Sequence, residues 1–282
     1  MSKKLLCSLM GLVLFAGMGA PLRASGSDDW SAQVNAATRA QREGELGKAE
    51  KLLLGALLTA QGFDDDDPRA AYTLDYLGTL YQQSGRPEDA IAVFVRALKG
   101  FDRTLGPDSQ DALSSAGRLA DAYEAAGRWT KSEALRRRLL KAVEAQASPD
   151  EATLAQAESD LALCLDAQKR WTEAMSLYSD ALVKRQEALG PGSTEVAETL
   201  SNEGRIWLLR GRKGQAEKLM RQALAIDQKA LGPDDPTVAD DLHRLAVVLK
   251  KSGRSAEAAA DEAQAAAIGK SRPTPGQGRA QP

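Results

Sequence analysis

A two-residue phrase returns along this chain at a fixed interval, and that interval limits the fold more than any other feature. Gly-Arg, or a close variant, stands at Gly85-Arg86, Gly127-Arg128, Lys169-Arg170, Gly211-Arg212 and Gly253-Arg254, with successive copies 42 residues apart. A degenerate earlier copy begins at Gly44, 41 residues before Gly85. A period between about 20 and 50 residues means a stack of supersecondary units, each touching only its neighbours. The question of function therefore moves from a catalytic pocket to a surface.

The residues around the phrase have helical spacing. Between Gln110 and Pro149, Leu119, Ala120 and Tyr123 stand eight, seven and four residues before Gly127, and Ser132, Leu135 and Leu139 stand five, eight and twelve after it. Both sets follow the three-and-four rhythm of one helix face. The Gly-Arg between them breaks that rhythm as a short turn between antiparallel helices does. Seven before the turn the residue is always small (Gly78, Ala120, Ala162, Gly204, Ala246), and five after it stand Ala49, Ala90, Ser132, Ala174, Ala216 and Ala258. Small against small lets two helices approach closely. The second helix is expected to stop at Leu105-Gly106-Pro107, Leu189-Gly190-Pro191 and Leu231-Gly232-Pro233, with Ser148-Pro149-Asp150 at that register in the third copy. Gly there allows a left-handed cap, Pro forbids continuation, and the Asp or Ser/Thr that follows caps the next helix. Glu203 stands where other copies carry Leu, so it is expected to reach solvent or to pair with an arginine. Arg136 and Glu262 likewise replace an apolar residue nine past the turn.

These residues resemble a tetratricopeptide repeat array of the 42-residue, kinesin-light-chain-like type. The phrase is best kept in ETLSNEGRIWLLRGRKGQAEKLMRQALAIDQKALGPDDP, residues 198–236, and the resemblance runs from about Trp30 to Gly269. It implies an all-α fold, a right-handed α-solenoid of about six helix-turn-helix repeats whose degenerate first and last units act as caps.

The ends read differently. Lys3 and Lys4 precede an uncharged apolar run from Leu5 to Ala20, followed by small residues. This pattern is a secretory signal over residues 1–26, cut after Ala24 or Gly26; the rival reading is an uncleaved membrane anchor. Cys7 opens the apolar run and does not close it, which argues against a lipoprotein signal. A repeat array over 27–269 and a disordered Pro/Gly-rich tail over 270–282 follow. Removing residues 1–26 takes away Lys3, Lys4 and Arg23 and no acid, so 37 basic and 39 acidic side chains become 34 and 39. That balance argues against a nucleic-acid partner. No second segment can span a membrane, and Cys164 alone leaves no internal disulfide. A periplasmic or secreted location, from a bacterial source, is expected.

Catalytic chemistry is poorly provided for. His243 is the only histidine, which rules out a His-pair metal site. Phosphate loops of the GxxxxGK[ST] and GxGxxG kinds are absent. Cys164 lies at a packed register and reads as an inert thiol. Trp129 and Trp171, two past their turns, read as core, and Asp64 to Asp67 as a solvated linker and cap. The chain is expected to be no enzyme, with no cofactor, no metal and no small-molecule substrate.

A binding face is the remaining expectation. In a curled stack the first helix of each pair lines the concave side, and residues ten, nine and six before the turn point away from the second helix. The resemblance implies that such positions hold an extended or helical segment of a protein partner. They comprise Asn35, Tyr76, Arg118, Asp121, Asp160, Asn202, Arg205, His243 and Arg244, joined by Asp75, Ser159, Leu163, Ser201 and Val247, with Lys250 and Lys251 beside the last turn. Asn35 and Asn202 are the only asparagines, both nine before the turn, where such a side chain can hold a peptide amide. Arg205, Arg244, Lys250 and Lys251 predict a basic end suited to an acidic segment or a terminal carboxylate. The competing expectation is an assembly subunit that packs through repeat edges or a convex face.

Overall fold

The computed structural model describes residues 23–270, which form twelve α-helices and no strand. The expected leader and tail lie outside the described residues, apart from Arg23 to Gly26 in the first turn of the first helix and Lys270 at the end of the last. Two compact units divide the chain, one ending at Ala112 and the other beginning at Leu113. The first holds α1 (Arg23–Arg42), α2 (Leu46–Ala60), α3 (Arg69–Gln83) and α4 (Pro87–Thr104). Helix α5 (Gln110–Ala125) opens at the division. The second unit continues with α6 (Trp129–Glu144), α7 (Glu151–Ala167), α8 (Trp171–Leu189), α9 (Thr194–Leu209), α10 (Lys213–Leu231), α11 (Pro236–Lys251) and α12 (Ser255–Lys270). The six helix pairs that the 42-residue period predicts are all present, and the fold is an all-α repeat.

Each hairpin turns on one residue of positive φ. Gly85, Gly127, Gly211 and Gly253 have φ of 67°, 68°, 79° and 82°. The amide that follows reaches back across the turn: Arg86 N to Tyr81 O at 2.8 Å, Arg128 N to Tyr123 O at 2.7 Å, and Arg212 N to Trp207 O at 2.9 Å. This six-to-one bond satisfies a carbonyl that the end of the helix would leave open, and only a left-handed residue permits it. Lys169 performs the same turn at φ 62° with a side chain attached, a conformation that costs a non-glycine residue about 1 kcal/mol.

The arginine of the phrase joins repeats together. Arg86 N–H groups donate to Glu50, on the second helix of the preceding repeat, at 3.0 Å, and to Asp89 on its own at 2.8 Å. Arg170 donates to Glu133 at 2.8 Å and to Glu173 at 2.7 Å, and Arg254 to Glu217 at 2.7 Å and Glu257 at 2.6 Å. The same two registers hold no acid at Arg212 (Met175 and Gln215) or at Arg128 (Ile91 and Lys131). Water and salt screen such exposed pairs, so the clamp sets register more than it adds stability.

The stop of the second helix differs from expectation. Gly190 and Gly232 have positive φ but ψ of 153° and 159°, an extended region essentially closed to other residues, and not the left-handed helical cap. Ser148 cannot make that turn. Accordingly α6 ends early, with 16 residues against 19 in α8 and α10.

The core is apolar and continuous between neighbours in the second unit. Leu161, Leu165, Tyr178 and Ile206 pack with half-buried Trp171, and Leu245, Val248 and Leu249 pack with Met220. Cys164 is buried at its packed register, and burial pushes its thiol up to about 12, which disfavours the thiolate. Glu203 is the exception. It is only 7% exposed and no arginine pairs with it, and burial raises its carboxyl above the usual range. The register wants a leucine because this face of α9 is enclosed by its neighbours. Glu203→Leu is expected to raise the urea midpoint, by about 1–3 kcal/mol of unfolding free energy, as a buried carboxyl is replaced by matching apolar volume. Lys169→Gly is expected to stabilise by about 1 kcal/mol in the same assay, and Gly211→Lys to destabilise by a similar amount.

Candidate functional site

The outward registers divide on inspection. Nine and six before the turn the side chains are exposed or half-exposed: Asn35, Tyr76, Asp121 and Arg244 are exposed, and Arg118, Asp160, Asn202 and Arg205 half-buried. Leu163 and Val247, at the same register as Arg205, are 37% and 46% exposed. Ten before the turn the expectation fails. Asp75, Ser159 and Ser201 are buried, and only His243 is exposed. The reason is visible at Ser201, whose hydroxyl lies 3.3 Å from Asp241 Oδ1 on α11 and so faces the next repeat. Asn35 and Tyr76 belong to the first unit, whereas the residues from Arg118 to Lys251 belong to the second.

The predicted basic end is compensated. Arg205 on α9 pairs with Asp166 on α7, a buried carboxylate three before its own turn. Arg244 donates to Asp241 at 3.3 Å and Lys250 to Glu262 at 2.6 Å. His243 and Lys251 are exposed. Asp166 shares Lys250's register, three before the turn, yet is buried, and Asp241 stands twelve before its turn, so neither is among the predicted face residues. Their partners lie on other helices or one turn away.

A second cluster centres on Arg136, which occupies the apolar register nine past the turn. Its guanidinium donates to Glu124 at 2.9 Å and to Asp160 at 3.0 Å, and it also holds Asp121. Ser132 donates to Glu124 at 2.6 Å. Burial works to raise the Glu124 carboxyl, but the bonds from Arg136 and Ser132 hold it below the usual range. Asp121 and Asp160 are therefore fixed in place by one buried cation.

Two further buried charges share one register of the second helix. Phe101 of α4 and Val143 of α6 are followed at 42-residue steps by Arg185 of α8 and Asp227 of α10. Arg185, 1% exposed, donates to Thr199 Oγ1 at 2.7 Å, to the Glu195 carbonyl at 2.8 Å and to Gln156 Oε1 at 2.6 Å. Asp227 meets Asp241 side chain to side chain, with both carboxyls buried. Burial and the neighbouring acid push Asp227 up to about 7, and burial also raises Asp241, so the pair shares a proton near neutrality.

Among the described residues no group of three or more His, Cys, Asp or Glu side chains is placed to hold a metal ion, and no helix is long and apolar enough to cross a membrane. Asp67 stands two residues before α3 begins, its carboxylate accepting from Arg69 N at 2.9 Å, while Asp65 and Asp66 are exposed.

Paired helices stacked at a 42-residue period, with one helix of each pair presenting polar and apolar side chains outward, define a helical-hairpin repeat protein. The tetratricopeptide repeat family matches in five overlapping segments, residues 31–103, 77–145, 111–183, 153–229 and 214–271. The chain belongs to the tetratricopeptide repeat family. Among solved structures it is similar to BtubC (BKLC) from P. vanneervenii, at 22% identity over 89% of this chain and 97% of that one, with a TM-score of 0.61. A candidate kinesin light chain of Podosopora anserina with nearly identical TPR-like repeats matches at 22% identity over 72% and 96%, with a TM-score of 0.60. The apo quorum sensor NprR from B. thuringiensis matches at 15% identity over 95% and 69%, with a TM-score of 0.64. Likeness at these identities establishes the fold alone. Comparison with curated proteins finds no match.

The acid pair makes stability depend on pH. An unfolded aspartate titrates near 4, so with Asp227 at about 7 the native state holds the extra proton between about pH 4 and 7. The pair's contribution is therefore largest at the acid end of that window and is lost as pH rises through 7. Carboxyls held low, such as Glu124 and Glu217, are ionised in both states above about pH 5 and add no slope there. Asp227→Asn is expected to raise the melting temperature at pH 8 by several degrees, at roughly 2–4 °C per kcal/mol, and by about one third as much at pH 5, where about one of the three pH units between 4 and 7 has been crossed. Thermal melts of both proteins across pH 5–8 check this.

Proposed function

We propose that this chain is an exported, non-catalytic scaffold that holds a segment of a partner protein along the outward face of its first helices. A tetratricopeptide repeat is a scaffold of a kind typically used for protein–protein interaction. The observation that carries the reading is the make-up of this face in the second unit. Exposed Leu163 and Val247 stand at the register of Arg205 on successive first helices, with Asn202 one turn before Arg205. The charged members are held by ion pairs to Asp166 and Asp241, so the face is ordered before a ligand arrives. Pre-ordering lowers the entropic cost of binding, and alternating apolar and amide groups suit an extended backbone with anchoring side chains. Export rests on the leader pattern of residues 1–26.

An assembly role has one observation in its favour. Helix α2 exposes Leu54 and Leu58, four residues apart, the latter 65% exposed. Placing the photocrosslinker p-benzoylphenylalanine at Leu163, Val247, Leu58 or Val183 separates the two readings. The scaffold reading expects partner adducts from positions 163 and 247, absent from position 183 on the second helix α8. Adducts confined to 58 or 183, or between copies of this chain, would favour assembly. N-terminal sequencing of the protein from its native envelope fraction tests export, with a start near Ser27 expected.

A further inference from the structure

The third repeat is the one whose second helix stops short, and the shortfall leaves a cleft. Ala147 and Ser148 stand where the other copies carry Leu-Gly, and α6 ends at Glu144. Between α6 and α7, reaching the end of α8 and the start of α9, lies a cleft of about 430 Å³. Leu139, Val143, Ala157 and Leu189 supply its apolar lining. Two cations, Arg136 and Arg185, also border it, but each is committed to acceptors of the protein itself: Arg136 to three carboxylates, Arg185 to Thr199, Gln156, Glu198 and a carbonyl. Neither is left to attract an anion.

The charged side chains beside the lining are mostly acidic: Lys184 is paired with Glu158 at 2.8 Å, and Lys141 of α6 is an exposed exception. From Ala142 to Gln168 the chain contains Glu144, Asp150, Glu151, Glu158, Asp160 and Asp166 and no Lys, Arg or His. Of these, Glu144, Asp150 and Glu151 are exposed beside the lining residues. Glu195, which lines the cleft, and Glu198, which touches Arg185, are exposed across from them. An apolar pocket of this size, open to solvent and rimmed by carboxylates, has a definite complement.

We infer that this cleft is a second docking point, which takes an apolar side chain of Leu or Met size from a partner segment whose neighbouring residues are Lys or Arg. The apolar side chain enters the cleft against Leu139, Val143 and Leu189 and occupies part of it, and the flanking cations sit on the Glu151 and Glu195 rim. The cleft adjoins the first-helix face at Asp160 but does not depend on a ligand lying along that face.

The test is selection of a random dodecapeptide phage library on the immobilised full chain. It is repeated on Glu151→Lys/Glu195→Lys, on Val143→Arg, and on Leu163→Asp/Val247→Asp. The first pair changes exposed residues only, so it remains informative should Val143→Arg fold poorly. Expected is a class of enriched peptides with Lys or Arg flanking Leu, Ile, Met or Phe, depleted at least tenfold by the rim reversal and retained by Leu163→Asp/Val247→Asp. Enriched peptides that are acidic or uncharged around the apolar residue, or that survive the rim reversal, overturn the cleft. If those peptides are lost only with Leu163→Asp/Val247→Asp, the first-helix face stands and the cleft falls. An empty selection overturns both.

Discussion

Everything in this fold hangs on a backbone conformation that recurs every 42 residues. A residue of positive φ lets the next amide bond back over the end of the first helix, and that bond sets the direction in which the second helix returns. The following arginine then uses its side chain as well as its amide. At Arg86, Arg170 and Arg254 it reaches a glutamate on the preceding repeat, so one dipeptide closes a hairpin and ties it to its neighbour. That Lys169 can occupy the glycine position shows that the stack supplies enough contact to hold a strained turn.

Repeats built on one plan become individual through charges placed in apolar registers. Arg136, Arg185, Glu203 and Asp227 each stand where another copy packs a hydrophobic side chain. Arg136 donates to three carboxylates and Arg185 to four acceptors, and such partners are the condition under which a buried cation is tolerated. Asp227 meets a second acid and keeps a proton, and Glu203 rises in pKa through burial alone. The same interface between a second helix and the next first helix is thus ionic at Arg185–Glu198 and protonic at Asp227–Asp241. Loss of a single glycine in the third copy has a different outcome: a shortened helix and an open cleft.

Much of the candidate face was legible, and the part that was not has a consistent cause. Helical spacing placed Asn202, Leu163, Arg244 and Val247 on the outward side, because residues at three-and-four steps share a face whatever surrounds them. It misplaced Asp75, Ser159 and Ser201, since one helix's spacing says nothing of the neighbour that covers its flank. It also presented Arg205, Arg244 and Lys250 as an unopposed basic end. Asp166 is 39 residues from Arg205, and no local pattern joins them.

By itself the sequence determined the helices, their turns and their number of pairs, because φ preferences, proline and glycine stops and apolar periodicity act over a few residues. Tertiary structure alone decided which charges are neutralised, which carboxyls keep protons and where a cleft opens. Those outcomes depend on groups brought together from neighbouring repeats and on how far burial removes them from water.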